Sequence, residues 1–291
     1  MSIPRSLGNG FSTARGINDL GQVVGGAAPN GTSVAFLLDH GVVTNLLTPT
    51  GAVYGLAVAI NNNGQVLVNG GAGSQSGTFV LAQGTQRQIP SLGGLVRGAA
   101  LNDLGHVVGE SSPAGAKLSH AFLQAAGPSV DLGVLPGGAT GGDCGFCVAG
   151  NFSAATAVND FDEVVGQSAA AGEVLHAFVW RHGVMADLGT LPGDNRSFAT
   201  SINNRGQIVG WSGHSTGIII DYTRPVLWTD GSVVDLSALI PANSGWVLDV
   251  AVAINSRGQI AGTGHRNGFA RPFLLTPIHA SERVIRRTIE P

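Results

Sequence analysis

The amino-acid sequence predicts an all-β fold, a six-bladed β-propeller of four-stranded blades, and three observations predict it. One short motif recurs six times at a spacing centred in the low forties. Each period divides into two hairpins, and the two ends of the chain look like complementary parts of one blade.

The motif has the form apolar-Asn-x-x-Gly-x-apolar-apolar-Gly. It reads INDLGQVVG (17–25), LNDLGHVVG (101–109), INNRGQIVG (202–210) and INSRGQIAG (254–262), with looser copies INNNGQVLV (60–68) and VNDFDEVVG (158–166). The repeated residue is Asn18, Asn61, Asn102, Asn159, Asn203 and Asn255, spaced 43, 41, 57, 44 and 52 residues apart. A period near 43 residues, rich in strand and turn signals, is that of a propeller blade.

Four strands are expected per unit. The first is small and apolar (Ala14–Asn18, Ala57–Asn61, Ala155–Asn159, Ala199–Asn203, Ala251–Asn255), as suits the crowded innermost position. The Asn-x-x-Gly turn follows, with Gly in the left-handed region, and leads into the Gln-Val-Val-Gly strand. The third strand is of the Ala-Phe-Leu type, as in AFLLDHG (35–41), HAFVWRHG (176–183) and RPVLWTDG (224–231). A polar turn then leads to a fourth strand ending in Asp-Leu, as in SVDLG (129–133), MADLG (185–189) and VVDLS (233–237).

At the ends, the sixth unit stops after RPFLLTP (271–277), short of a fourth strand, while SIPRSLG (2–8) resembles the fourth-strand segments QIPSLGG and DLGTLPG. The expectation is one domain over residues 1–277, its ring closed by the N-terminal strand joining the last blade. Such closure removes two free sheet edges. Residues 278–291 are expected to form a surface tail.

Composition agrees and excludes some roles. Charged residues are 11% of the chain, against roughly 25% in an average soluble domain, while 45 glycines and 43% hydrophobic residues suit many short strands with tight turns. A net charge of −3 argues against a nucleic-acid partner. No apolar run reaches the roughly 18 residues of a membrane span. The N-terminus MSIPRSLGNG has no apolar signal region, so the chain as written is expected to be cytoplasmic, or extracellular if its N-terminus has been trimmed. A monomer without cofactors is expected.

Gly-Ile-Asn-x-x-Gly-Gln-Val-Val-Gly, followed by His-Ala-Phe and then Asp-Leu-Gly, resembles the bacterial HAF repeat family. His120-Ala121-Phe122 and His176-Ala177-Phe178 carry the motif intact; Val34, Gly77, Arg224 and Arg271 stand in place of His elsewhere. The resemblance covers nearly the whole chain. It implies a propeller-like fold and frequent placement outside the cell, and it implies no catalytic residues.

Ligand sites favour variable loops on a rigid scaffold. The face with the longer second-to-third and blade-to-blade connections is therefore the expected site, at the mouth of the central channel. Three insertions gather on that face: GVLPGGATGGDCGFCVAGNFS (133–153), GHSTGIIIDYTRP (213–225) and LIPANSGWVLD (239–249). They either build a rim over the mouth or reflect free drift in loop length.

Register places Tyr54, Arg97, Phe152, Arg196, Trp246 and Asp249 at the entrances of first strands, and Glu110, Gln167 and Trp211 just beyond the Gly of second strands. His120, His176, Arg224 and Arg271 lie near the same rim. Glu110, Asp249, His120 and His176 are the candidate acids and bases. Tyr54, Arg97, Phe152, Arg196, Trp211, Asp221, Tyr222, Arg224 and Trp246 are candidate ligand contacts. The recurrence of a cation at the His position favours a structural hydrogen bond there over ligand contact. Cys144 and Cys147 form a lone CxxC without a second ligand pair, so a loop disulfide or two plain thiols are expected and not a metal site. No nucleophile elbow, phosphate loop or His-Glu-x-x-His motif is present.

Two functions fit. The first is a binding module holding a small molecule, glycan or peptide at the mouth. The second is an enzyme, a lyase, cyclase or isomerase of a hydrophobic molecule, as in natural-product biosynthesis, that uses a few rim acids, bases and aromatics in an apolar funnel able to favour ring closure by positioning. Base rates favour binding, and the repeat family, the absent catalytic motif and the few ionisable groups fit it.

Overall fold

Two hairpin signals per repeat should close one antiparallel sheet per repeat, and they do. The structure is a computed structural model that describes residues 11–28, 32–47, 54–72, 75–138, 151–172, 174–216 and 220–278. The chain divides into two compact units, Met1–Asp131 and Leu132–Pro291.

The first unit holds three blades. Blade one is β1 (Phe11–Ile17), β2 (Val23–Ala28), β3 (Val34–Asp39) and β4 (Val42–Asn45). Blade two is β5 (Tyr54–Ile60), β6 (Val66–Ala72), β7 (Gln75–Ala82) and β8 (Thr85–Gln88). Blade three is β9 (Gly93–Leu101), β10 (Val107–Pro113), β11 (His120–Gln124) and β12 (Val130–Asp131). In the second unit, blade four is β13 (Ser153–Val158), β14 (Val164–Ala170), β15 (Val174–Arg181) and β16 (Val184–Asp187). Blade five is β17 (Arg196–Ile202), β18 (Ile208–His214), β19 (Tyr222–Thr229) and β20 (Ser232–Asp235), followed by a 3-10 turn, Leu236–Leu239. Blade six is β21 (Trp246–Ile254), β22 (Ile260–Arg266) and β23 (Phe269–Leu275). Strands pair in sequence order within every sheet, so the fold is a six-bladed all-β propeller. The expected joining of residues 2–7 to blade six, the tail beyond residue 278, and Cys144 and Cys147 lie outside the described residues.

Two details differ from the expectation. First strands begin two to five residues earlier than the small apolar segment, because each first-to-second pairing contains a one-residue register shift. The shift falls at Ala14/Gly16, Ala57/Ala59, Ala155/Ala157, Ala199/Ser201 and Ala251/Ala253, and in blade three at Val108/Gly109. A bulge of this kind bends the strand and lets pairing continue beyond it. Second-to-third connections are also not uniformly long. In blade six, Asn267 (φ 51°) and Gly268 (φ 82°) close β22 to β23 as a two-residue hairpin.

The recurrent asparagine is a joint. Asn61 Oδ1 accepts hydrogen bonds from the Asn63 and Gln65 amides, and its Nδ2 donates to Gln65 Oε1 and to the Asn102 carbonyl of the next blade at 2.9 Å. Asn18 donates to the Asn61 carbonyl at 3.0 Å, Asn159 to that of Asn203 at 3.2 Å, and Asn203 to that of Asn255 at 3.0 Å. This explains both the Asn and the Gln of the motif. Where the turn glycine is replaced, Asp162 holds the left-handed conformation with φ 58°, a region that Asp and Asn tolerate better than other side chains.

The core lies between consecutive blades. Val24 and Ala35 of blade one pack with Ala57, Ile60, Val66 and Val68 of blade two. Leu67, Val80 and Ile89 pack with Leu101, Val107 and Phe122 of blade three. In the second unit, Val165, Ala177 and Val179 meet Ala199, Ile202 and Val226, and Val209 meets Leu248, Ala251 and Phe273. Each such side chain contributes about 1.5–3 kcal/mol on burial if it is as large as Val or Leu.

Candidate functional site

A cleft of about 350 Å³ opens in the first unit where first strands begin and second strands end, between blades two and three. Its lining includes Tyr54, Arg97 and Glu110, together with Asn69, Ser76, Leu95, Ser112 and Ser119. Three residues singled out from register alone thus line one cavity. It lies between two blades of the first unit, whereas the expected place was the mouth of the central channel.

The local sequence explains the placement. A Cβ on Gly109 would collide with the Arg97 carbonyl oxygen, so only glycine lets β9 bulge against β10 there. Beyond that bulge Arg97 stands directly opposite Glu110 in the antiparallel register. Paired residues of this kind place their Cβ atoms about 5 Å apart on one face. The next residue, Gly98, is clamped to blade two. Its amide donates to Asn69 Oδ1 (3.0 Å) and to Thr78 Oγ1 (2.9 Å), and its carbonyl accepts from Asn69 Nδ2 (2.8 Å). The Thr78 hydroxyl in turn donates to Asn69 Oδ1 at 2.7 Å. Thr78 is fully buried, and the clamp satisfies every polar group it contains.

Above this clamp the lining combines the apolar Leu95 and Val96 with six polar side chains that are unengaged. Tyr54, Ser76, Arg97, Glu110, Ser112 and Ser119 make no side-chain hydrogen bond or ion pair among the described residues. Arg97 and Ser76 are exposed, and the other four are half-buried. The sequence reading missed Asn69, Thr78 and the three serines. A signal existed for Thr78, which occupies the Ala position of His-Ala-Phe.

The other candidates fall elsewhere. His120 Nδ1 lies 2.9 Å from the Asp131 carboxylate and His176 Nδ1 2.7 Å from that of Asp187. In both cases the partner is the Asp of the same blade's Asp-Leu segment. The two residue types go together: blades one and two have Val34 with Asn45 and Gly77 with Gln88, lacking both members. The pair therefore ties the third strand to the fourth.

In blade five the His position is Arg224, and it anchors a dense cluster. Its guanidinium meets the buried Asp194 carboxylate at 2.8 Å and donates to the Pro192 carbonyl at 3.1 Å. Ser212 Oγ donates to Asp194 at 2.6 Å and the Tyr222 hydroxyl does so at 3.0 Å. Burial opposes the charge on Asp194, but the hydrogen bonds from Arg224, Ser212 and Tyr222 outweigh it and hold this carboxyl below its usual range. The bond to Asp194 raises both the Tyr222 phenol and the Arg224 guanidinium. His214 stacks on Tyr222 with centroids 6.1 Å apart. Asp194 was not a candidate from sequence.

Of the remaining candidates, Trp211 stacks on its cross-strand partner Phe198 at 6.0 Å. Trp246 packs edge-on against Phe273 and under Arg266 in blade six. Asp249 pairs with His265 at 2.9 Å, and Asp221 accepts from the Thr216 amide at 3.1 Å. Arg196 opens β17 opposite Gly213. Phe152 precedes β13, and its carbonyl accepts from the Ala169 amide. Arg271 lies over Phe269. Gln167 lies opposite Ala154 in blade four. None of these lines the cleft. Among the described residues, no three His, Cys, Asp or Glu side chains come together as metal ligands, and no helix is long and apolar enough to cross a membrane.

No family model matches the chain, and no curated protein matches it. Among solved structures it is similar to the β-propeller domain of the Trilobed protease from Pyrococcus furiosus, described as having an open velcro topology. That likeness has a TM-score of 0.58 at 10% identity and covers 97% of this chain and 84% of that one. A putative TolB from Agrobacterium tumefaciens gives 0.47 at 12% identity, covering 78% and 74%. The gluconolactonase XC5397 from Xanthomonas campestris gives 0.43 at 14% identity, covering 93% and 88%. The first likeness supports the propeller fold and says nothing about activity.

Proposed function

We propose that this chain is a binding propeller that holds a small polar molecule or glycan in the cleft between blades two and three. One observation carries the reading: six polar side chains line a single cavity and none of them is engaged among the described residues. Elsewhere in the molecule comparable groups are paired, as in the Asp194 cluster and the pairs His120–Asp131, His176–Asp187 and His265–Asp249. Groups left solvated in a concave, rigid site can exchange water for ligand with little rearrangement. The volume, about 350 Å³, lies at the lower end of the range for small-molecule sites. Rigidity comes from the Asn69–Thr78 clamp beneath it.

The test is a thermal-shift screen of the full chain against sugars, amino acids, short peptides and hydrophobic polyketide-like molecules, with mass spectrometry of each hit. The expected result is a polar ligand recovered unchanged, whose stabilisation disappears in Arg97→Gln. A stabilising ligand indifferent to replacement of Arg97, Glu110 and Tyr54 would place the site elsewhere. A hit recovered as an isomer or fragment would make the chain an enzyme.

A further inference from the structure

We infer that the ligand of this cleft is an acidic sugar, a hexuronic acid or a glycan ending in one; the inference rests on the binding reading above. The charge pattern of the lining carries it. Arg97 supplies a planar guanidinium suited to bidentate contact with a carboxylate. Directly across the strand pair, Glu110 offers only acceptors, which suits hydroxyl donors. Cation and anion side by side leave the site near neutrality. That disfavours a phosphate dianion, which Glu110 would repel, and favours a single negative charge on a molecule rich in donors.

The uncharged lining separates the remaining possibilities. Ser76, Ser112 and Ser119 each both donate and accept, and Tyr54 adds a flat apolar ring with a polar tip. A free amino acid would match Arg97 and Glu110 but leave the three serine hydroxyls and the Tyr54 tip without ligand partners. A neutral sugar would match the hydroxyls and leave Arg97 unanswered. A hexuronic acid answers both sets: its carboxylate takes Arg97, its ring hydroxyls take Glu110 and the serines, and the C–H face of its ring can lie on Tyr54.

The experiment is calorimetric titration of the full chain with sodium D-glucuronate, D-glucose, glycine and inorganic phosphate, with a galacturonate oligosaccharide as a separate arm for the glycan form. Glucuronate or the oligosaccharide should bind at least about tenfold more tightly than glucose, the scale of one added charge-assisted bond. Arg97→Gln should erase that preference. Arg97→Lys should keep part of it, and Glu110→Gln should weaken sugar binding without inverting it; thermal melts report whether each variant is folded. Glucose binding equally well, or glycine or phosphate binding better, would overturn the acidic-sugar assignment and leave the binding reading standing. No binding by these probes, with no hit in the wider screen, would overturn both.

Discussion

Blades three and five use the same repeat positions in opposite ways. In blade three, Arg97 and Glu110 face each other across β9 and β10, and neither side chain is engaged among the described residues. In blade five the equivalent Phe198 and Trp211 face each other across β17 and β18 and stack. Close by, Asp194, Arg224, Tyr222 and Ser212 satisfy one another. Blade five is richer in ionisable and aromatic residues, the types that ordinarily suggest a site. There the carboxylate of Asp194 is already taken by its own neighbours and is not left over for a ligand. The comparison teaches that a candidate site is recognised by what its groups leave unsatisfied more than by which groups are present.

The largest effect should come from breaking the engaged cluster. Asp194→Ala removes the carboxylate that holds Arg224, Tyr222 and Ser212, and it should lower unfolding stability by about 3 kcal/mol, read by chemical denaturation. The same group sets a pH dependence. Because the folded-state carboxyl sits below its usual value, its contribution is complete above the ordinary carboxylate range and is lost as pH falls through the depressed value. The stability gap between the native chain and Asp194→Ala should therefore narrow in acid, and a gap independent of pH would show that the cluster acts by packing alone.

Next in size is a joint in the same unit. Asn203→Ala deletes two accepted and two donated hydrogen bonds and should cost about 2 kcal/mol, with ligand binding in the first unit unchanged. Writing blade five's pair into blade three, as Arg97→Phe with Glu110→Trp, should abolish ligand binding while changing stability by less than about 1 kcal/mol. The smallest effect is expected for Glu110→Gln alone, within about 0.5 kcal/mol, since that side chain makes no bond to lose. A larger loss there would mean that the two blades are less different than they look.

The six asparagines made the blade count legible, because each closes its turn by accepting from the amides two and four residues on, and a turn repeated in every blade must recur in the sequence. Tyr54 and Arg97 could be placed near one another by counting register back from the first strands, and Glu110 stands out because the repeat does not require it; all three line the one cleft. Asp194 was not legible, since its partners Arg224 and Ser212 lie in other strands 30 and 18 residues away. The Asn69–Thr78 clamp was hidden in the same way, because its target is a backbone peptide of the following blade. The earlier start of the first strands leaves no mark in the sequence, because a bulge changes which face a residue occupies without changing the composition of the strand. Blade six departs from the loop-length expectation through two residues, Asn267 and Gly268, whose Asn-Gly pair is itself a two-residue turn signal.

The asparagine joint has a genealogical consequence. Within each unit it points one way along the chain, from the side-chain amide of one repeat to the main-chain carbonyl of the same residue in the next. Hook and eye therefore belong to a single codon. A duplicated repeat arrives already fitted to the copy before it and the copy after it, and a deleted repeat leaves no mismatched fastening behind. A lineage built on such a joint can lengthen or shorten by whole blades through unequal recombination, leaving point mutation free to differentiate individual blades, as the contrast between the third and the fifth displays.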